Sequence, residues 1–264
     1  MYPTRLLFQT ITLCCLLSSL VLPVASAEIR LSAFEANYKF YYGPIKVANA
    51  KILLSRSDSI WSWRLSTDPV GVASLLTGGK QPYSETTFTR IDGRHKLQSI
   101  TIADKGKNDK QLETANFDWN HKQVTTLRKD VANSQPLSAD VYDHLTIHLL
   151  AAKMQEQGLQ HSSVDFYYKG KLVKTKLSQV GKTRLKIDSK GRLVNKEFKQ
   201  AGKRSLEIDT EEIDVVIFEQ TIEGSSTKST YYYKPDTPYL PMKIETEKPG
   251  KTGTTMLYQG GVAG

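Results

Sequence analysis

Apolar and polar residues alternate along most of the chain, and turn residues divide this alternation into short runs. In the run 34–42, every even-numbered position carries alanine or an aromatic residue, and mostly polar residues lie between them. A period of two is typical of a β-strand with one buried face. The first three strands are predicted at 34–42, 47–55 and 60–66.

The same alternation continues to the end of the chain. Asp92-Gly93 and Pro249-Gly250 are strong turn signals between such runs. Many short strands with little helix between them favour a mostly β fold, either a strongly curved antiparallel sheet or a partly open β-barrel. The further predicted strands are 83–91, 96–103, 113–119, 123–128, 163–168, 171–180, 182–188, 192–200, 227–234, 242–247 and 253–259.

One segment, 138–157, has apolar residues at helical spacing and predicts the main α-helix. Ser138 is a suitable N-cap and Gly158 a suitable stop. The stripe consists of Val141, Leu145, His148, Leu149 and Ala152. The apolar segment 70–76 predicts a short helix or a lid loop. The run 207–219 has a period that is partly helical, but its end, 215–218, prefers a strand.

The first 27 residues have the organisation of a cleavable signal peptide. Arg5 precedes the apolar run 6–24, and Ala25-Ser26-Ala27 is a small-x-small cleavage site. The alternative is a retained membrane anchor, since the run approaches the length of a bilayer crossing. We expect cleavage, which makes 28–264 a single β-rich exported domain that is not an integral membrane protein.

Both cysteines, Cys14 and Cys15, lie within this predicted signal peptide. A mature chain without cysteine has no disulfide, thiolate zinc site or cysteine nucleophile. The formal net charge is +9. In an exported protein this charge favours anionic lipid headgroups or an acidic polymer over nucleic acid as partner, or simply a solvated basic face.

Candidate catalytic and metal-ligating residues are weakly patterned. There is no GxSxG motif for a serine nucleophile. His144 and His148 lie four residues apart, with Asp140 on the same line, which suits either a metal or ordinary packing. Asp118 and the acidic run 207–212 offer carboxylates, but more simply end a strand and face water. We therefore predict no enzyme activity, no metal and no cofactor.

Alternating aromatic faces are the most suggestive candidate for a binding site. One short helix is little cover for such faces, so they line a hollow or form the core of the domain. The segment 70–76 is then a gate over the hollow or a plug packed on the sheet. The candidate lining residues are Tyr38, Phe40, Tyr42, Trp61, Trp63, Tyr231, Tyr233, Leu75 and Leu76.

The order of landmarks resembles DUF3108, a family of uncharacterised exported proteins of Gram-negative bacteria. The resemblance is carried by FEANYKFYYGPIKVANAKILL, SETTFTRIDGRHKLQSITI, ANFDWNHKQVTT, DVYDHLTIHLLAAKMQEQG, YKGKLVKTKLSQVG and YYYKPDTPYLPMKIETEK. It implies a periplasmic address and a mostly antiparallel β fold, and it brings no catalytic residue.

These patterns together predict a non-catalytic protein of the cell envelope. The favoured function is binding of a lipid or another apolar or amphipathic envelope molecule in the hollow of the sheet. The alternative is an interaction module that docks on another envelope protein or on the cell-wall polymer, which requires an exposed apolar patch instead of a hollow.

Overall fold

The computed structural model describes residues 31–91, 94–105, 110–137, 140–194 and 209–263. Within these ranges the chain forms fifteen strands and two helices. The helices are α1 (Val72–Thr77) and α2 (Ile147–Gln157). The strands are β1 (Phe34–Tyr42), β2 (Ile45–Ser57), β3 (Ile60–Pro69), β4 (Gln81–Ile91), β5 (Arg94–Lys105), β6 (Lys110–Asp118), β7 (Gln123–Arg128), β8 (Val131–Pro136), β9 (Val141–Tyr142), β10 (His161–Tyr168), β11 (Lys171–Asp188), β12 (Thr210–Ile222), β13 (Lys228–Tyr233), β14 (Pro241–Lys248) and β15 (Lys251–Ala263).

All fifteen strands belong to one sheet, in the order β8-β7-β6-β5-β4-β3-β2-β1-β15-β14-β13-β12-β11-β10-β9. Neighbouring strands are antiparallel, except that β9 runs parallel to β10. The pairing of β1 with β15 joins the first and last strands in the middle of the sheet. The predicted mostly β, antiparallel fold is confirmed, and the sheet is open because β8 and β9 do not pair with each other.

The two ends of the sheet nevertheless meet along a line that we call the seam. There the β10–β11 turn touches β7 and β8 through side chains, without a strand ladder. The carbonyl of Gly170 accepts hydrogen bonds from Thr126 Oγ1 (3.2 Å) and Gln135 Nε2 (3.3 Å). The amide of Leu172 donates to Gln135 Oε1 at 3.0 Å. The sheet therefore curves almost fully around an interior.

α2 fills that interior. On one side it packs against a cluster from β1 to β7, and on the other against a cluster from β10, β11, β12 and β13. Its buried residues are Ile147, His148, Leu149, Leu150, Ala151, Ala152 and Met154. Since buried positions surround most of α2, the helix is the central piece of the core and not a cover on its surface.

The prediction that this helix begins at 138 is wrong, because α2 begins at Ile147. A tight turn precedes it, in which the Asp143 carboxylate accepts hydrogen bonds from the Thr146 amide (2.8 Å) and the Thr146 hydroxyl (2.6 Å). Before that turn, Val141 pairs with Asp165 as a strand. The proposed N-cap, Ser138, lies outside the described residues.

The distal halves of β11 and β12 extend past β13 as a ribbon. Leu185, Ile187 and Val215 of this ribbon contact a third cluster that contains Leu257. Leu257 lies on the opposite face of the sheet from the inward-facing Tyr38, since Lys39 is its partner across the β1–β15 pair. The ribbon thus adds a small outer layer to the sheet.

The partly helical reading of 207–219 is also wrong, because Thr210–Ile222 is a strand along its whole length. Pairing with β11 from Asp188 to Thr175 decides the conformation there. Three features predicted from the sequence lie outside the described residues: the signal peptide 1–27, the Asp92-Gly93 turn and most of the run 192–200. In the part that the structure describes, no helix has both the length and the apolar character of a membrane span.

Candidate functional site

The predicted aromatic lining residues lie mainly in the closed core. Trp63 and Tyr233 are fully buried, and Tyr38, Trp61 and Tyr231 have exposed fractions of 2%, 7% and 5%. The predicted hollow is therefore occupied by the protein itself. This agrees with the alternative that these faces form the core.

His148 of α2 is the side chain around which several of these rings pack. Its ring centroid lies 5.7 Å from that of Trp63 and 5.3 Å from that of Tyr231. Its Nδ1 makes a hydrogen-bond contact of 2.7 Å with the Tyr233 hydroxyl. Burial, with a smaller contribution from the neighbouring His144, lowers the pKa of His148 to about 3. The ring is therefore neutral and serves packing.

The other predicted lining residues are less buried. Phe40 is half-buried and Tyr42 is 48% exposed at the end of β1. Leu75 and Leu76 lie on α1 and are 82% and 83% exposed. α1 contains no buried residue, so it is not a plug packed on the sheet, and its two leucines do not close over the aromatic core.

A cavity of about 670 Å³ opens at the seam, and we call it the seam cleft. It lies between β5, β6 and the end of β7 on one side and the end of β10 on the other. Its mostly apolar wall is formed by Ile100, Ile102, Leu112, Phe166, Tyr167 and Tyr168. Its polar residues are Gln111, Glu113, Arg128, Lys129, Asp130, His144 and Lys169.

A buried ion pair lies in the wall of the cleft. Arg128 Nε is 2.6 Å from Glu113 Oε2, and the Glu113 side chain is 6% exposed. The other carboxylate oxygen, Glu113 Oε1, is buried without a hydrogen-bond partner of normal geometry. Leaving such an acceptor unpartnered costs about 1–3 kcal/mol.

The Tyr167 hydroxyl is the second buried polar group of the cleft without a hydrogen-bond partner of normal geometry. Burial raises the pKa of Tyr167 far above its ordinary value, and the negative charge of Glu113 and a side-chain contact with its carboxylate raise it too. That contact does not have the geometry of a normal hydrogen bond. The hydroxyl therefore keeps its proton and can donate it in a hydrogen bond. The cleft thus offers one donor and one acceptor among apolar side chains, which is the usual composition of a small-molecule site.

The loop before α2 forms a fixed edge of the cleft. Asp143 is fully buried and accepts a short hydrogen bond from the Thr86 hydroxyl. The next residue, His144, is half-exposed at the cleft, with Nδ1 3.7 Å from Asp143 Oδ2. Because the hydrogen bond between Thr86 and Asp143 fixes the loop to β4, it also fixes the backbone position of the next residue, His144.

Two lysines stand at the mouth of the cleft, in the turns that follow β7 and β10. Lys129 has φ 52° and Lys169 has φ 53°, so both turns use left-handed residues. Lys169 Nζ lies 4.7 Å from the centroid of the Tyr168 ring, which fixes one cation above an aromatic wall. The mouth therefore carries positive charge, partly offset by Asp130.

A second cavity, of about 1030 Å³, lies between the end of α2, the ribbon and the loop before β14. Its wall includes exposed charged residues such as Arg184 and Asp214, which are ion-paired at 3.3 Å. Among the described residues, no buried polar atom without a partner lies in this wall. Trp63 Nε1 also lacks a partner, but Trp63 lines neither cavity. The seam cleft is therefore the better candidate.

The residues considered for catalysis or metal binding lie apart. Asp118 caps the β6–β7 turn by accepting hydrogen bonds from the amides of Asn120 and His121, both at 3.0 Å. This agrees with its interpretation as a strand end. In the described ranges, no three His, Cys, Asp or Glu residues converge as a metal site would require. His148 Nδ1 is hydrogen-bonded to the Tyr233 hydroxyl, so His148 and His144 do not form such a site together.

Glu113, Arg128 and Tyr167 were missed by the sequence analysis. A signal for Glu113 exists, because it shares the inward face of β6 with Ala115 and Phe117, and an acid on an apolar face calls for an explanation. Tyr167 gives no such signal. Its contact with β6 depends on how the sheet curves.

Comparison with known proteins places this architecture. A crystal structure of a β-barrel-like protein of the domain of unknown function DUF1849 from Brucella abortus matches with a TM-score of 0.55 and 10% sequence identity. The match covers 89% of this chain and 99% of that one, and it concerns the fold alone. No curated protein matches the sequence. The family model described as "Protein of unknown function (DUF3108)" matches residues 37–257, most of the chain, and the protein therefore belongs to the DUF3108 family.

Proposed function

We propose that this protein is a non-catalytic periplasmic protein that binds an amphipathic molecule of the cell envelope in the seam cleft. The observation that carries the proposal is the cavity at the seam, in whose wall Glu113 Oε1 and the Tyr167 hydroxyl are buried near each other, neither with a hydrogen bond of normal geometry. A ligand that satisfies both removes their desolvation penalty and gains affinity from it.

The shape of the cleft fits a molecule of moderate size. Small-molecule sites typically measure about 300–1,000 Å³, and the cleft measures about 670 Å³. Ile100, Ile102 and Phe166 offer apolar surface for a hydrocarbon part. The described aromatic residues around α2 are instead packed against one another and against the helix.

The polar atoms define the head of the ligand. Glu113 Oε1 accepts a hydrogen bond from a hydroxyl or amide N–H, and Tyr167 donates one to a hydroxyl or carbonyl oxygen. The charge of Arg128 is balanced by Glu113, whose Oε2 lies 2.6 Å from Arg128 Nε, so a neutral group suits the buried part of the head. Lys129 and Lys169 at the mouth suit an anionic group farther out.

The absence of catalysis is part of the proposal. Among the cleft-lining residues that the structure describes, there is no serine, threonine or cysteine to act as a nucleophile. The periplasmic location is supported by the signal-peptide pattern of residues 1–27.

Native mass spectrometry and organic extraction of the protein purified from cells that express the full chain test this function. We expect a co-purifying amphiphile in the wild type and about tenfold less of it in Tyr167→Phe, since one hydrogen bond to a buried group is lost. Ile102→Trp, which fills the cleft, abolishes binding. The matched control Tyr239→Phe, in the wall of the second cavity, keeps the ligand. A wild type without any bound molecule, or ligand retention in Ile102→Trp, contradicts the proposal.

A further inference from the structure

α1 exposes its apolar side chains, whereas a helix on the surface of a folded protein normally buries them. Val72, Leu75 and Leu76 are 72%, 82% and 83% exposed, and the helix buries none of its residues. Gly71 and Gly78, both with positive φ, begin and end it, so that it stands out from the strands that it connects. Contiguous exposed apolar side chains of this kind mark a contact surface.

The neighbouring β1–β2 turn enlarges this surface. The amide of Val70, just before α1, donates to the carbonyl of Val47 in β2 at 2.9 Å, which brings the turn next to the helix. The turn adds two apolar side chains, Tyr42 and Ile45, which are 48% and 64% exposed. We call the whole set the apolar end: Tyr42, Ile45, Val72, Leu75 and Leu76.

Lysines surround the apolar end. Lys46 follows Ile45 directly, and Lys80 follows α1 with a side chain that is 54% exposed, 3.9 Å from Asp104. The β14–β15 turn is hydrogen-bonded to the β1–β2 turn and adds exposed Lys248 and Lys251, against one exposed acid, Glu247. The charge around the apolar side chains is therefore positive on balance.

We infer that the apolar end docks on an anionic lipid bilayer, with Leu75 and Leu76 inserted among the headgroups and the lysines on lipid phosphates. Apolar side chains beside lysines are the combination by which proteins bind at a membrane interface without spanning it. A protein partner would need acids facing these lysines, whereas a bilayer with anionic lipids supplies the complementary charge and the apolar layer together.

The strand order supports this orientation. Because neighbouring strands alternate in direction, the turns after β7 and β10 lie at the same end of the sheet as α1. Those turns carry Lys129 and Lys169, at the mouth of the seam cleft. Docking therefore turns the mouth toward the membrane, although docking itself requires no ligand in the cleft.

Vesicle flotation tests the inference. The probes are phosphatidylcholine vesicles with and without about one third phosphatidylglycerol, and the protein is purified from cells that express the full chain. We expect binding to the anionic vesicles that weakens as salt is raised. Leu75→Ser combined with Leu76→Ser lowers the affinity about tenfold or more, because two side chains no longer enter the interface. The matched control Val262→Ser, 72% exposed at the opposite end, leaves the affinity unchanged.

Two further variants separate insertion from simple attraction of charges. Lys80→Gln with Lys251→Gln reduces binding, whereas Lys122→Gln with Lys182→Gln, away from the apolar end, does so less. Tryptophan introduced as Leu76→Trp is quenched by brominated lipid, and Val262→Trp is not. Failure of the wild type to bind, or binding that survives the loss of both leucines, overturns the inference and leaves the surface to a protein partner.

Discussion

The interior around α2 and the seam cleft are built from the same kinds of residue but treat their polar groups differently. In the interior, the Tyr231 hydroxyl donates to Gln220 Oε1 at 2.6 Å, and His148 meets the Tyr233 hydroxyl, although Trp63 Nε1 has no partner there. In the cleft, Glu113 Oε1 and the Tyr167 hydroxyl are buried without partners. The first arrangement stabilises the fold. The second retains hydrogen-bonding capacity that a ligand can use.

The largest expected difference between the two regions is the loss of stability when a large apolar side chain is replaced by alanine. Trp63→Ala removes a fully buried side chain that packs on α2, and we expect the free energy of unfolding to fall by about 3–5 kcal/mol. Ile102→Ala enlarges a cleft that is already open, so we expect a loss of about 1 kcal/mol. Urea unfolding followed by circular dichroism measures both. Equal losses would mean that the cleft is as tightly packed as the interior.

Acid should destabilise the interior. Burial lowers the pKa of His148 to about 3 and that of His95 to about 4. The unfolded chain binds these protons below the ordinary value of about 6.5, so stability is complete above that pH and is lost toward pH 3–4. At pH 5 we expect a loss of about 2 kcal/mol for each histidine.

Urea unfolding at pH 7.5 and pH 5 measures this loss. His95→Gln should remove about one histidine's share of the pH dependence, while Tyr167→Phe in the cleft keeps all of it. A pH dependence that is unaffected by His95→Gln contradicts the assignment.

The seam itself can be strained at one position. Gly170 has φ 82°, and a Cβ there would lie 3.1 Å from Arg128 Cδ. Gly224 has φ 71° but open space around it. We expect Gly170→Ala to lower the free energy of unfolding by about 2 kcal/mol and Gly224→Ala by about 1 kcal/mol, since only the first adds a collision to backbone strain. Urea unfolding measures both. Identical losses would show that the seam accommodates a Cβ.

The smallest expected effect is the change in stability when one tyrosine hydroxyl is removed, and its sign should differ between the two regions. Tyr167→Phe removes a buried hydroxyl that has no hydrogen bond of normal geometry, so the unliganded protein should become about 1 kcal/mol more stable. Tyr231→Phe leaves Gln220 Oε1 unpartnered and should cost about 1 kcal/mol or more. Thermal unfolding of protein stripped of lipid measures both changes. Destabilisation by Tyr167→Phe would mean that its hydroxyl has a partner after all.

Local pattern was sufficient for many strands but not for all of them. β8 was not predicted, and the predicted strands 171–180 and 182–188 are one strand, β11. The alternation in 34–42 and the polar gap after Asp118 predict β1 and the β6–β7 hairpin almost to their ends. Local pattern failed where pairing with a strand distant in the sequence determines the backbone conformation. Val141 is a strand residue because β10 lies beside it, and Thr210–Ile222 is a strand because β11 does.

The candidate site was less predictable than the fold. Alternation identifies the buried face of β3 with Trp61 and Trp63, but it does not say whether a ligand or α2 covers that face. The cleft brings together Glu113 and Tyr167 from strands far apart in the sequence, across a line where the sheet fails to close. The exposed leucines of α1 were found from the sequence, but as a gate over the core.

The position of β15 gives the chain a definite order of assembly. Strands β1 to β8 form one consecutive meander, and most of the remaining strands pair with the next strand along the chain. The two halves become one continuous hydrogen-bonded sheet when Lys251–Ala263 enters between β1 and β14, with Phe34 opposite Ala263. The sheet is therefore completed only by the pairing of β1 with β15, which lie far apart in the sequence, and such long-range pairing slows folding.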